Sequence, residues 1–171
     1  MSHVGTVGDL FEKAIALEQG AEEFYHRLAE MFSGVPEVAK FWLRYADEEQ
    51  GHAAFLERIR GRLPAADLDK PGNSHMLESA RKMAAFSVSE SVGRIRTLAE
   101  AYDLAVELEN SETNAIFEFI LLNFSGDELG KSQTFLRVQL HRHLTAFERK
   151  FPAKYKSKLL RQDVKAKHPN A

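Results

Sequence analysis

The 171-residue sequence predicts an all-α protein, a four-helix bundle made of two antiparallel hairpins joined by a long crossover. Two observations predict it. Apolar residues recur at helical spacing over four long segments. No period-2 run is long enough for a sheet. Segments of ~24 residues give helices ~36 Å long.

The first helix is predicted from about Gly8 to Phe32, with Leu10, Ala14, Leu17, Ala21, Phe24 and Leu28 inward. Thr6 suits its N-cap and Asp9 its first turn. Ser33-Gly34-Val35-Pro36 breaks it, and Pro36 can open the second helix because its missing N–H is not needed there. That helix runs to about Arg60, ended by Gly61 and Pro64. Residues 61–90 hold Pro64, Pro71, Gly72 and several serines, and read as the crossover, with one short helix near His75–Phe86. The third helix is predicted from about Ser91 to Asn123, with Leu98, Tyr102, Ala105, Leu108, Ala115, Ile116 and Phe119 inward. After the turn Ser125-Gly126-Asp127, the fourth runs from about Glu128 to Lys150, and Pro152 ends it.

Composition bounds the function. Residues 1–151 form one domain, and 152–171 form a basic tail whose plainest reading is a solvated segment. A net charge of −2 argues against nucleic acid as the main partner. The absence of cysteine excludes disulfides, thiolate nucleophiles, iron–sulfur clusters and Cys-type zinc sites. Any metal must be held by carboxylate, imidazole or water. The most apolar run, Ile116–Phe124, falls short of the ~20 residues of a membrane span. The N-terminus lacks the basic-then-apolar pattern of a signal peptide, so the cytoplasm is the expected location.

Glu49-x-x-His52 is the motif that carries chemistry. It lies on the apolar stripe Trp42, Tyr45, Ala46, Glu49, His52, Ala53, Leu56, Ile59. A carboxylate and an imidazole three residues apart on a helix point the same way. A carboxylate facing a core is costly unless something pairs with it, and a metal would pair with both groups. An internal repeat points to their partners. At a constant offset of 91 residues, Ala14, Leu17 and Glu18 match Ala105, Leu108 and Glu109. His52 matches His143, and Glu57-Arg58 matches Glu148-Arg149. The partner of Glu49 is Leu140, so the second motif has lost its glutamate.

One glutamate on each of two helices and a Glu-x-x-His on each of the other two is the ligand pattern of ferritin-like di-iron proteins. This chain offers Glu18, Glu49 with His52, Glu109, and then His143 alone. The run Leu17-Glu18-Gln19-Gly20-Ala21-Glu22-Glu23-Phe24-Tyr25 resembles the first helix of the rubrerythrin branch of that superfamily. The branch also carries a carboxylate one turn after the third-helix glutamate, where Glu112 stands. The resemblance covers Leu10 to Phe151, and no Cys-rich rubredoxin-like domain follows.

The resemblance implies that Glu18, Glu49 and His52 hold one metal, and that Glu109, Glu112 and His143 hold a second, with Glu49 bridging. Two iron ions are expected, and manganese or zinc also suits such donors. Reduction of peroxide or dioxygen with oxidation of ferrous iron would follow, as a peroxidase or ferroxidase. An external electron donor would be needed, or iron itself would be the reductant, and a homodimer is implied. The alternative is a non-catalytic protein holding one or two metals for buffering, sensing or stability. Plainer readings stand beside each residue. Glu18 and Glu109 could pair with Arg44, Arg94 or Arg96; Glu112 could face solvent; His143 could be a core histidine. Tyr25 could reach a ligand carboxylate, while Tyr25 and Tyr102 otherwise read as packing residues with satisfied hydroxyls.

Overall fold

A computed structural model describes residues 5–84, 88–110, 116, 120, 123, 147 and 149–155. Among them lie six helices: α1 (Val7–Met31), α2 (Pro36–Arg62), α3 (Ala65–Leu68), α4 (Ser74–Ala84), α5 (Val88–Arg94) and α6 (Leu98–Glu109). The protein is an all-α helical bundle.

The long first hairpin forms as its end signals predict. Thr6 Oγ1 accepts from the Asp9 N–H at 3.1 Å, and Asp9 Oδ2 accepts from the Thr6 N–H at 2.8 Å. This reciprocal capping box satisfies two amides that a helix start leaves open. Pro36 opens α2, and Glu37 in its first turn and Arg60 and Arg62 in its last suit the helix dipole. The two helices then bury Leu10, Phe11, Phe24, Leu28, Trp42, Leu56 and Ile59 against each other and the rest of the bundle. Each such side chain contributes roughly 1.5–3 kcal/mol by leaving water.

The crossover is more ordered than its composition predicts. It contains α3, α4 and α5, where the sequence indicated one short helix. Leu77 and Ala80 of α4 are buried in the same apolar cluster as Leu10, Phe11 and Leu56. The start of the crossover is fastened to the N-terminus by an isolated antiparallel bridge between Thr6 and Pro71. The Val7 N–H donates to Lys70 O, and the Gly72 N–H donates to Gly5 O, each at 2.9 Å. A Cβ on Gly72 would stand 2.7 Å from Thr6 O and 2.9 Å from Leu77 Cδ1. Backbone cannot yield there, so Gly72→Ala should destabilise the protein by about 1–3 kcal/mol. Thermal unfolding checks this; an unchanged midpoint refutes the close approach.

The third long helix begins at Leu98, not near Ser91. Thr97 and Glu100 form a second capping box, which favours a new helix start over continuation from α5. Arg96 holds the break from the other side, its Nη1 donating to Gly93 O at 2.5 Å and Ile95 O at 3.0 Å. Ile95 is buried there. α6 ends at Glu109, with the Asn110 N–H donating to Val106 O at 3.0 Å. Ile116, Ile120 and Asn123 are helical, and both isoleucines pack into the α1–α2–α4 cluster. Of the predicted fourth helix, Phe147, Arg149 and Lys150 are helical, and the other positions lie outside the described residues. Phe147 and Phe151 meet Phe41 edge-on, with centroids at 5.3 and 5.0 Å, which ties this segment to α2.

Two apolar clusters result. One gathers Leu10, Phe11, Ala14 and Ile15 with Phe55, Leu56 and Ile59. The other gathers Phe24, Tyr25 and Leu28 with Phe41, Trp42 and Tyr45. Glu18 lies on α1 between the first set and the second, and Glu49 and His52 lie on α2 between theirs. The polar groups therefore sit at the seam of the two clusters. No helix among the described residues is long and apolar enough to cross a membrane.

Candidate metal centre

Helical spacing delivers three side chains to one point. Glu18 projects from the inward face of α1, and Glu49 and His52, one turn apart, from that of α2. One ligand atom from each lies within 4.8 Å of the others. His52 Nδ1 is 2.9 Å from Glu49 Oε2 and 3.5 Å from Glu18 Oε2. Glu18 is 2% exposed, Glu49 4% and His52 8%, so water screens little of their charge.

The electrostatics follow from that burial. Burial pushes Glu49 up to about 8, reinforced by the Glu18 charge and partly offset by the hydrogen bond to His52. For His52 burial alone acts downward. Its contacts with Glu18 and Glu49 overcome this and raise it to about 10. One outstanding polar atom remains. Glu18 Oε1 is buried and has no hydrogen-bond partner among the described residues. A buried, unpartnered carboxylate oxygen normally costs about 1–3 kcal/mol or more. A divalent cation among these three groups would supply the missing partner and offset the carboxylate charge. Two carboxylates and one imidazole are donors that suit iron, manganese or zinc.

Glu109, at the end of α6, is the fourth predicted residue within the described set. It is buried, and Tyr25 of α1 donates its hydroxyl proton to Glu109 Oε1. Burial, followed by the Glu49 charge, pushes Glu109 up to about 8. It therefore feels the trio electrostatically, while its Oε1 accepts from a phenol. Tyr25 is itself raised well above the usual phenol range by burial and then by the Glu109 and Glu49 charges. Glu112 and His143, and with them Leu140, lie outside the described residues.

An aromatic wall beside Glu109 was not singled out in the sequence. Trp42 stacks on Tyr25 with centroids 6.0 Å apart and planes 13° apart, and Tyr45 lies 5.6 Å from Tyr25. The available signal is the placement of Trp42 and Tyr45 on the stripe that carries Glu49, two turns and one turn before it respectively. Glu48 is a further carboxylate that no sequence motif marks. It faces Lys150 at 3.5 Å, at the edge of this region.

A helical bundle with buried carboxylates and an imidazole at its core defines a class, that of carboxylate metal-binding bundles. Within that class the chain belongs to the rubrerythrin family, whose model matches residues 9–122. Its fold is similar to that of a solved Thermotoga maritima protein, provisionally described as a ferritin-like diiron-carboxylate protein. The TM-score is 0.63 at 25% identity, over 87% of this chain and 96% of that one. No curated protein matches the chain at a significant level.

Proposed function

We propose that the protein is a di-metal carboxylate protein, with iron the metal, that reduces peroxide or dioxygen as ferrous iron is oxidised. The observation that carries this reading is the buried Glu18–Glu49–His52 trio, with Glu18 Oε1 lacking a partner, in a bundle of the rubrerythrin family. Glu18, Glu49 and His52 would hold one ion. Glu109, Glu112 and His143 would hold the second, with Glu49 between them. The metal supplies the ferrous-to-ferric electron. The chain supplies a buried seam, two hard carboxylates aimed at one point, and an imidazole held in place by both of them. We further read the protein as a homodimer fed by an external electron donor, as the family resemblance implies, and as cytoplasmic.

A second reading is a non-catalytic metal site, and Leu140 favours it. At the 91-residue offset Leu140 stands where a second bridging glutamate belongs. Metal analysis of the purified protein separates the two. Two irons per chain with peroxide-dependent oxidation support the first reading. One redox-inert zinc supports the second. No metal after reconstitution refutes both. Leu140→Glu should restore the second motif and tighten the weaker of two binding steps by about tenfold or more. A calorimetric titration that leaves that step unchanged would show the 91-residue register to be wrong.

A further inference from the structure

Glu18, Glu49 and His52 are buried, so a cation has to reach them by a path between the helices. One face of α1 carries a graded series of donors. Residues four apart on a helix are neighbours, with Cβ atoms about 5–6 Å apart. His26, Glu22 and Glu18 stand four apart in that order. Side-chain exposure falls from 48% at His26 to 23% at Glu22 and 2% at Glu18. The series ends at Glu18 Oε1, the buried oxygen with no hydrogen-bond partner among the described residues.

Glu22 is held at the α1–α2 seam. Gln50, the residue after Glu49, donates from Nε2 to Glu22 Oε1 at 3.2 Å. His26 Nε2 lies 3.7 Å from the same oxygen. Two donors bound to one cation at about 2.1 Å each stand up to about 4.2 Å apart. His26 and Glu22 are therefore placed to share an ion. They open on a surface cavity of about 430 Å³ that Glu23 and Glu30 also line. A water takes about 30 Å³, so the cavity admits a cation with its first hydration shell. Arg27 lines it too, 3.7 Å from Glu23, and offsets only one of the three carboxylates. The remaining negative charge raises the local concentration of cations. A purely structural Glu22–Gln50 pair needs neither the imidazole nor the acidic surround.

We propose that Glu22 and His26 are the loading site of the metal centre, receiving a divalent cation from solvent and passing it one turn along α1 to Glu18. The proposal rests on the metal-binding reading above. His26 and the acidic rim capture the ion. Glu22, kept at the seam by Gln50, exchanges part of its water shell for carboxylate oxygen. Glu18 Oε1 then takes the ion inward. Glu22 is a transient partner and not a ligand of the loaded centre. It lowers the barrier in both directions, so it speeds entry and exit alike and leaves the affinity unaltered.

The test mixes the metal-free full chain with zinc ion and a weakly binding metallochromic indicator in a stopped-flow instrument, then measures release into excess chelator. Glu22→Gln should slow uptake and release alike, each by about tenfold, with the zinc bound per chain and the affinity unchanged. His26→Ala, at an exposed position, should slow both by about threefold, and it serves alone should the Glu22 variant fail to fold. Glu78→Gln removes the same charge from an exposed site on α4 and should keep both wild-type rates. Unchanged uptake in Glu22→Gln and His26→Ala overturns the loading site. Weakened affinity with unchanged uptake would make Glu22 a resident ligand, which also overturns it. Equal slowing in Glu78→Gln would reduce the effect to overall charge and overturn it too. Such donors hold zinc more tightly than ferrous iron. Wild-type protein that binds no zinc therefore overturns the metal-binding reading as well as this one.

Discussion

Glu49→Ala is expected to strip the protein of metal. Its carboxylate lies closest to His52 Nδ1, at 2.9 Å, and its charge acts on Glu109 as well as on the trio. It is therefore a described carboxylate that both halves of the proposed centre feel. Loss of a group that merely orients a ligand costs roughly 10–100-fold in metal affinity. Loss of a ligand shared between two positions should exceed that, leaving less than a tenth of the wild-type metal after dialysis. Glu48→Ala is the matched control. Glu48 is the preceding residue on the same helix, but it faces Lys150 at 3.5 Å and is partly exposed. It should retain metal in full. Elemental analysis of the two variants side by side decides the matter. Equal metal content would show that binding does not depend on the Glu49 carboxylate.

The residues differ in how far the sequence alone could place them. Glu18, Glu49 and His52 were legible because each interrupts an apolar stripe whose period is fixed by the helix. Helix geometry then sets their direction, and hairpin packing brings α1 and α2 to matching depth. The start of the third helix was less legible. The apolar pattern runs through Val92 and Ile95 without a pause, and the period by itself does not reveal the break. What ends one helix and starts the next is a local competition won by the Thr97–Glu100 capping box and the Arg96 contacts to Gly93 and Ile95. Those signals are polar, short-range and easy to pass over beside a strong hydrophobic period. The Tyr25–Glu109 contact links residues 84 apart in the chain. The inward face of α1 suggested that Tyr25 could reach a carboxylate, but only the packed bundle identifies which one. The Trp42 stack, likewise, depends on side-chain directions from two helices that no single-helix pattern encodes.

The metal-free protein is expected to lose stability as pH rises from about 6 to 9, and metal to stabilise it most at the alkaline end. The same three groups cause both effects. Glu49 and Glu109 are raised by burial to about 8 in the fold, against about 4.5 for an ordinary glutamate. A carboxyl group raised in this way favours the fold while protonated, and that contribution is lost as pH climbs through the folded value. His52 is raised to about 10 by its contacts with Glu18 and Glu49, despite burial acting downward, from an ordinary value of 6.5. Its stabilising contribution is complete below 6.5 and is lost as pH climbs towards 10. All three terms therefore have the same sign. Loss of a single proton from this coupled set is worth about 1.4 kcal/mol per pH unit. In a domain of this size that corresponds to a fall in melting temperature of roughly 3–6 °C per pH unit. A metal binds the deprotonated groups, so it competes with protons for the site and restores more stability at higher pH. Melting curves at several pH values, with chelator and with ferrous or zinc ion, measure both slopes. Glu49→Gln keeps the volume and removes one of the titrating groups, so its metal-free slope should be shallower than the wild type's. A metal-free melting temperature that is flat or rising over this range would mean that the buried carboxylates are compensated by something other than protons. A metal centre would then no longer be needed to account for their burial.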